Sequence, residues 1–321
     1  MNKEDLRIVF FGTPDFAVES LSRLVDGGYN VVAVVTMPDK VGGRGHHVIE
    51  SAVKQFAVAK GLPLLQPANL KDADFVGQLQ ALRPQLFIVI AFRMLPQVVW
   101  QMPPLGTFNL HASLLPKYRG AAPINWAVMN GDTQTGVTTF FLKHEIDTGD
   151  IIQQRAIDIA RTDNVETVHD RLMVLGADMV VETVDAIIAG AVRPIAQEEL
   201  ISAGADATPA PKIFRETCRI DWGKSGEAVY NQIRGLSPYP AAWTELVTAQ
   251  GERSTIKVFA TGEPQPAQME PGTIVTDGRH DLKVAAADAL IPIMSIQPAG
   301  KRRMTVEEFL RGYSVDGCRC E

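Results

Sequence analysis

Short apolar runs alternate with longer amphipathic stretches through the first half of the chain. Leu6–Phe11 is apolar apart from Arg7 and ends in Gly12-Thr13-Pro14. Positions 16–24 repeat at helical spacing and stop at Gly27-Gly28. Val31–Thr36 and Leu86–Ala91 are further apolar runs, with a helical stretch at Glu50–Lys60 between them. A strand with no polar face must be covered on both sides, as in a parallel sheet flanked by helices. The pattern predicts an α/β, Rossmann-like, doubly wound and mostly parallel sheet, closed by a long amphipathic helix over Asn164–Ala189. This gives a first domain of residues 1–189.

Residues 190–208 are small, polar and broken by Pro and Gly, so they read as a linker. The texture then changes. Ile256–Phe259, Gly272–Val275, Asp281–Ala285 and Ile291–Gln297 are short strand candidates between turn residues, and Val229–Arg234 is a short helix candidate. Closely spaced strands with turn signals predict a small OB-like β-barrel domain over residues 209–321.

A length of 321 residues agrees with two domains. The start of the chain has no signal-peptide character, and no apolar stretch approaches the about 20 residues that span a bilayer. The expectation is a soluble, cytoplasmic monomer. Cys218, Cys318 and Cys320 suit neither a disulfide framework nor a zinc site. The net charge of −6 excludes a protein coated in positive charge. Residues 209–321 are balanced, so a nucleic-acid partner must be met by local basic clusters.

The chemistry concentrates in two segments. Asn109 and His111 lie two apart at the end of a strand, so their side chains share a face. An amide donor beside an imidazole suits a carbonyl oxygen that becomes negative, and the imidazole also moves protons near neutral pH. Taken alone, a histidine at a strand end is more often structural. Asp147 and Asp150 flank a Thr-Gly turn, where a carboxylate either serves that site or merely caps the turn. The acidic residues lack further ligands at metal spacing, and no metal is expected. Gly12-Thr13-Pro14-Asp15 opens a helix after a strand but lacks the glycine spacing of a dinucleotide site, which excludes a nicotinamide dehydrogenase.

Asn109-x-His111-x-Ser113-Leu114-Leu115-Pro116, Arg119-Gly120-Ala121-Ala122-Pro123-Ile124, Gly136-Val137-Thr138 and Asp147-Thr148-Gly149-Asp150 together resemble the signature of the folate-dependent formyltransferases. Phe11–Ala17, Pro38-Asp39-Lys40, Gly43-Arg44-Gly45, Arg219–Trp222 and Gln297–Lys301 extend the resemblance over nearly the whole chain. It implies that Asn109, His111 and Asp147 are the catalytic triplet and that 10-formyltetrahydrofolate is the formyl donor. It also implies a folate pocket lined by Ser113, Leu114, Leu115, Pro116, Ile90, Ala91 and Phe92. Within the family, the full-length match points to the branch that formylates the amine of methionine on initiator tRNA. Lys40 and Arg44 in the loop, with Lys212, Arg215 and Lys301 in the second domain, are then candidate tRNA contacts. Arg219, Lys224, Arg234, Arg302 and Arg303 would join them. Two departures stand out: Phe92-Arg93 replaces the family's Tyr-Gly, and His46-His47 replaces its lysines. The alternatives are a formyltransferase for a small amine, such as glycinamide ribonucleotide or a sugar-nucleotide amine, and an RNA-binding module without chemistry.

Overall fold

The run Ile-Val-Phe-Phe-Gly has no polar position, and in the computed structural model it forms a fully buried strand, β1 (Ile8–Gly12). The structure describes residues 2–42 and 47–321. After β1 come α1 (Asp15–Asp26), β2 (Val31–Val35), an antiparallel pair β3 (Lys40–Gly42) and β4 (His47–Ile49), α2 (Ala52–Ala59), β5 (Leu64–Leu65) and α3 (Ala73–Ala81). Next are β6 (Leu86–Ile90), α4 (Gln97–Trp100), β7 (Thr107–His111), β8 (Arg119–Gly120) and α5 (Pro123–Met129). β9 (Gln134–Phe141), β10 (Ile151–Asp158), α6 (Val165–Ile188) and α7 (Gln197–Ser202) complete this half.

The principal sheet has seven strands in the order β10-β9-β7-β6-β1-β2-β5. β1 pairs in parallel with β2 and β6, and the parallel pairing continues to β5 and β7. β9 runs antiparallel to β7, so the sheet is mixed beyond its parallel centre. β1 and β6 are buried at every position, as their unbroken apolar sequences require. On one face of β7, Leu110 meets Gly176 of α6, where an added Cβ would lie 2.7 Å from the leucine. Asn109 and His111 therefore point to the opposite face.

The chain divides into two compact units that interleave in sequence. The first comprises Met1–Gly120, Gly136–Ile157 and His169–Pro209, and the second comprises Ala121–Thr135, Asp158–Val168 and Ala210–Glu321. The expected segment boundaries at 189 and 209 do not follow this division, and residues 158–168 group with the second unit. α5 groups with the C-terminal part, and the stretch read as a linker holds α7 and belongs to the first unit.

After β11 (Pro209–Ala210), the second unit continues with α8 (Gly226–Leu236), β12 (Ala242–Val247), β13 (Arg253–Thr261), β14 (Gln265–Pro266), β15 (Ile274–Thr276) and β16 (Leu282–Ala285). β17 (Ala289–Pro298), β18 (Met304–Thr305), α9 (Val306–Gly312) and β19 (Arg319–Cys320) end it. Its sheet runs β15-β16-β17-β13-β12-β19. The Cys320 N–H donates to the Gly272 carbonyl at 2.8 Å, and Thr273 bridges to Arg319. These contacts join the last strand to the start of β15 and close a barrel. Trp222, Val229, Ile233, Ile256, Ile291 and Phe309 fill its core. The buried Trp222 indole satisfies its N–H on Thr244 Oγ1 at 2.9 Å. α5 packs on α8, where a Cβ at Gly235 would lie 2.5 Å from Met129 Cγ and Asn125 donates to the Gly235 carbonyl at 2.8 Å.

Candidate active site

His111 ends β7 with only 7% of its surface exposed. Its Nε2 lies 2.8 Å from the Tyr118 carbonyl oxygen. A carbonyl only accepts, so Nε2 carries a hydrogen in every charge state of the ring. Nδ1 is left as the nitrogen that gains or loses a proton, and it faces Asp147 Oδ2 at 3.8 Å. Asn109, two residues earlier on the same face, is half-buried, and its amide has no hydrogen-bond partner among the described residues. The structure thus brings the three predicted catalytic side chains to one end of the sheet within the first unit.

Asp147 is held in a left-handed backbone conformation, φ 56°. Its Oδ2 accepts the Gly120 N–H at 2.9 Å. Gly149 explains the sequence of this turn: an added Cβ would lie 1.5 Å from the Phe141 carbonyl oxygen. Gln197 donates to the carbonyls of Asp147 (2.9 Å) and Gly149 (2.8 Å).

The segment after His111 is braced by its own polar groups. Ser113 Oγ donates to the Lys117 carbonyl at 2.6 Å, and Thr138 Oγ1 donates to the Ser113 carbonyl at 2.6 Å. Gln154 Nε2 donates to the Leu115 carbonyl at 2.7 Å and to Thr138 Oγ1 at 2.9 Å. Ser113, Leu115 and Pro116 are buried and Leu114 is half-buried. Ile90 is buried within the sheet, Ala91 is exposed with φ 46°, and half-buried Phe92 packs edge-on to Phe11. Among the seven predicted folate-lining residues, Ala91 is exposed, Leu114 and Phe92 are half-buried, and Ile90, Ser113, Leu115 and Pro116 are buried.

Arg93 is half-buried. Its guanidinium donates to the carbonyls of Ala68 (2.8 Å) and Pro67, and burial pulls its pKa down. It ties the loop after β5 to the loop after β6. Its Nε is buried without a partner among the described residues.

The basic candidates are dispersed. Lys40 is exposed on β3, whereas Arg44 and His46 lie outside the described residues. In the second unit, Lys212 lies over the exposed Phe214 ring, Arg215 lies over Trp243 at 5.1 Å, and Lys301 is exposed in the turn after β17. Arg234 is not a surface charge. It donates to Asn231 Oδ1 at 2.7 Å and to the Asp163 carbonyl at 2.9 Å, and burial lowers its pKa. Arg302 pairs with Glu308 at 2.7 Å, and Arg303 donates to Ser295 at 2.9 Å.

Tyr118, Gln154 and Gln197 carry this geometry and were not singled out from the sequence. The first acts through a backbone carbonyl, which any residue could supply. Among the described residues, no group of three or more His, Cys, Asp or Glu gathers to hold a metal ion. Among them, too, no helix is long and apolar enough to cross a membrane.

Residues 6–184 match the formyl transferase family, and residues 212–314 match the formyl transferase C-terminal domain. A methionyl-tRNA formyltransferase of Bacteroides fragilis is 62% identical over 316 residues, covering 98% of this chain and 97% of that one. One of Porphyromonas gingivalis is 49% identical, covering 98% of each chain. Among solved structures, a sugar 3N-formyl transferase, WlaRD, determined in the presence of dTDP and 5-N-formyl-THF, is 17% identical with a TM-score of 0.63, covering 92% of this chain and 99% of that one. HypX from Aquifex aeolicus in complex with tetrahydrofolic acid is 18% identical with a TM-score of 0.62, covering 96% of this chain and 48% of that one. At these identities the two structures share the fold.

Proposed function

Because the chain belongs to the formyl transferase family, we propose that it moves the formyl group of 10-formyltetrahydrofolate to the α-amino group of methionine on initiator tRNA. The observation that carries the chemical half of this reading is the division of labour around His111. One ring nitrogen is fixed on a carbonyl, the other faces a carboxylate, and the Asn109 amide stands on the same face. Asn109 donates to the formyl oxygen as that oxygen gains negative charge during attack by the amine. His111 Nδ1–H adds positive charge at the same centre. Asp147 holds the imidazolium and accepts the proton given up by the attacking amine, directly or through a water, for return to the departing folate nitrogen. That return matters because an amine nitrogen leaves poorly without a proton.

The acceptor is supported by the extent of likeness. The relatives named methionyl-tRNA formyltransferase match through both units, whereas the sugar formyltransferase resembles the chain at the level of fold. Lys40, Arg44, Lys212, Arg215 and Lys301 are the proposed contacts to tRNA, and Ser113–Pro116 with Ile90–Phe92 the proposed donor wall. Lys212–Phe214 and Arg215–Trp243 pair charge with an exposed or half-exposed ring, a combination suited to phosphates and bases. On this reading the enzyme works in the cytoplasm as a monomer, without a metal. The deciding experiment offers 10-formyltetrahydrofolate with charged initiator tRNA, and separately with sugar-nucleotide amines. Formylated methionyl-tRNA is the expected product; turnover confined to a small amine would reject the acceptor.

A further inference from the structure

Gln197 is completely buried, yet it is a polar side chain in a stretch whose composition reads as linker. Every hydrogen-bonding position of its amide is used. Nε2 donates to the carbonyls of Asp147 (2.9 Å) and Gly149 (2.8 Å), and Oε1 accepts from Arg119 Nε (3.0 Å) and Nη2 (2.7 Å). The partners fix the amide's orientation, since carbonyls only accept and a guanidinium only donates. No other side chain of this length supplies two donors and an acceptor in that order. Glutamate would set an oxygen against two carbonyl oxygens, and methionine would leave all four partners unmet.

What these bonds hold is the turn that aims Asp147. The residue sits at φ 56°, a conformation costly for a side chain other than glycine and kept only where neighbours enforce it. Gln197 grips the turn at the carbonyls on either side of Thr148. The Asp147 carboxylate is gripped from the other direction by the N–H of Gly120, the residue after Arg119. Gln197 and Gly120 thus form a closed loop of bonds, Arg119–Gln197–Asp147–Gly120, that sets where Oδ2 stands relative to His111 Nδ1.

We infer that Gln197 is a positioning residue for formyl transfer: it acts on the reaction through Asp147 without touching either substrate. The inference rests on the role given to Asp147 above. A displacement of about 1 Å at a catalytic group costs on the order of 100-fold in rate. The test compares Gln197→Met, Asp147→Asn and the double variant in the full-length enzyme, measuring kcat on charged initiator tRNA and equilibrium binding of 10-formyltetrahydrofolate. Gln197→Met is expected to lower kcat by about 100-fold, to leave donor binding near wild type, and to add little further loss in the Asp147→Asn background. Unchanged kcat, an equal loss of donor binding, or losses that multiply in the double variant would each overturn it. Gln197→Glu guards against misfolding of the methionine variant, because it keeps both the size and the Arg119 pairing. It too is expected to lose kcat, and wild-type turnover in it would refute the inference. Should Asp147→Asn alone turn over normally, the role of Asp147 is the part that fails, and Gln197 has nothing to position.

Discussion

Asn109 and His111 differ in what each has left to offer a substrate. The asparagine amide is uncommitted among the described residues, so its loss should be felt only when charge develops on the formyl oxygen. Asn109→Ala is expected to lower kcat by about 10²–10³-fold and leave donor affinity near wild type; equal losses in both would mark it as a ground-state ligand. His111→Ala removes the positive charge beside the formyl oxygen, and a fall in kcat of about 10²–10³-fold is expected. Gly149 is constrained more absolutely. With the Phe141 carbonyl 1.5 Å from where a Cβ would stand, Gly149→Ala must displace the Asp147 turn. The variant should fold with reduced stability and retain little turnover, which thermal denaturation beside a kinetic assay would check.

Elements place these residues, and they were legible in the sequence to different degrees. The apolar runs around residues 8–12, 31–35 and 86–90 became strands within a residue or two of their expected limits, and α6 spans almost the whole amphipathic stretch expected for it. β12 was missed because Ala-Trp-Thr-Glu-Leu-Val alternates for only a few residues after a proline-rich turn, where a periodic signal is short. α3 was missed although Asp72 caps it, accepting from Asp74 and Phe75. Turns hold charge as well as geometry. Asp277 accepts backbone N–H bonds from Arg279, His280 and Asp281, which hold its pKa near about 2. An unfolded aspartate titrates near about 3.9. The folded group therefore binds its proton later on acidification. Its contribution to stability is complete above the unfolded value and disappears as pH falls through about 2. Asp277→Ala should lose stability at neutral pH and show a flatter acid limb of unfolding; identical acid limbs would contradict this.

The two units interleave in sequence, and that changes what truncation does. A fragment ending near Ala205 keeps the seven strands of the principal sheet and the three proposed catalytic side chains. It also keeps α5 while losing α8, so Asn125 and Met129 of α5 are left without the helix they meet at Gly235. The fragment is expected to melt below the intact protein and to expose apolar surface to a dye, even if it binds the donor. A melting curve superposing on that of the full chain would show that α5 needs no partner. Charge supplies the other molecular prediction. The chain is acidic overall, so tRNA must be held by a few local cations. The logarithm of affinity should then fall with the logarithm of salt by a slope of about 0.7–0.9 per phosphate contact, whereas donor binding, which needs few charges, stays nearly level. A salt-independent KM for charged tRNA would remove Lys212, Arg215 and Lys301 from the acceptor site.

The sequence by itself determined the parallel centre of the sheet, because strands covered on both faces admit no polar residue, and it marked the Asn-x-His and Asp-Thr-Gly-Asp segments by residue type and order. It also marked the second, strand-rich unit by the spacing of its turns. Only the tertiary structure decided that α5 belongs with α8, since an apolar helix face carries no label for the partner that will cover it. The state of His111 was likewise decided in three dimensions: Nε2 is committed by the Tyr118 carbonyl, and backbone carbonyls are the same chemistry at every position of a chain. Gln197 joined the site for the same kind of reason. Its four hydrogen bonds come from residues 48 to 78 positions away, and no local pattern can announce bonds of that reach.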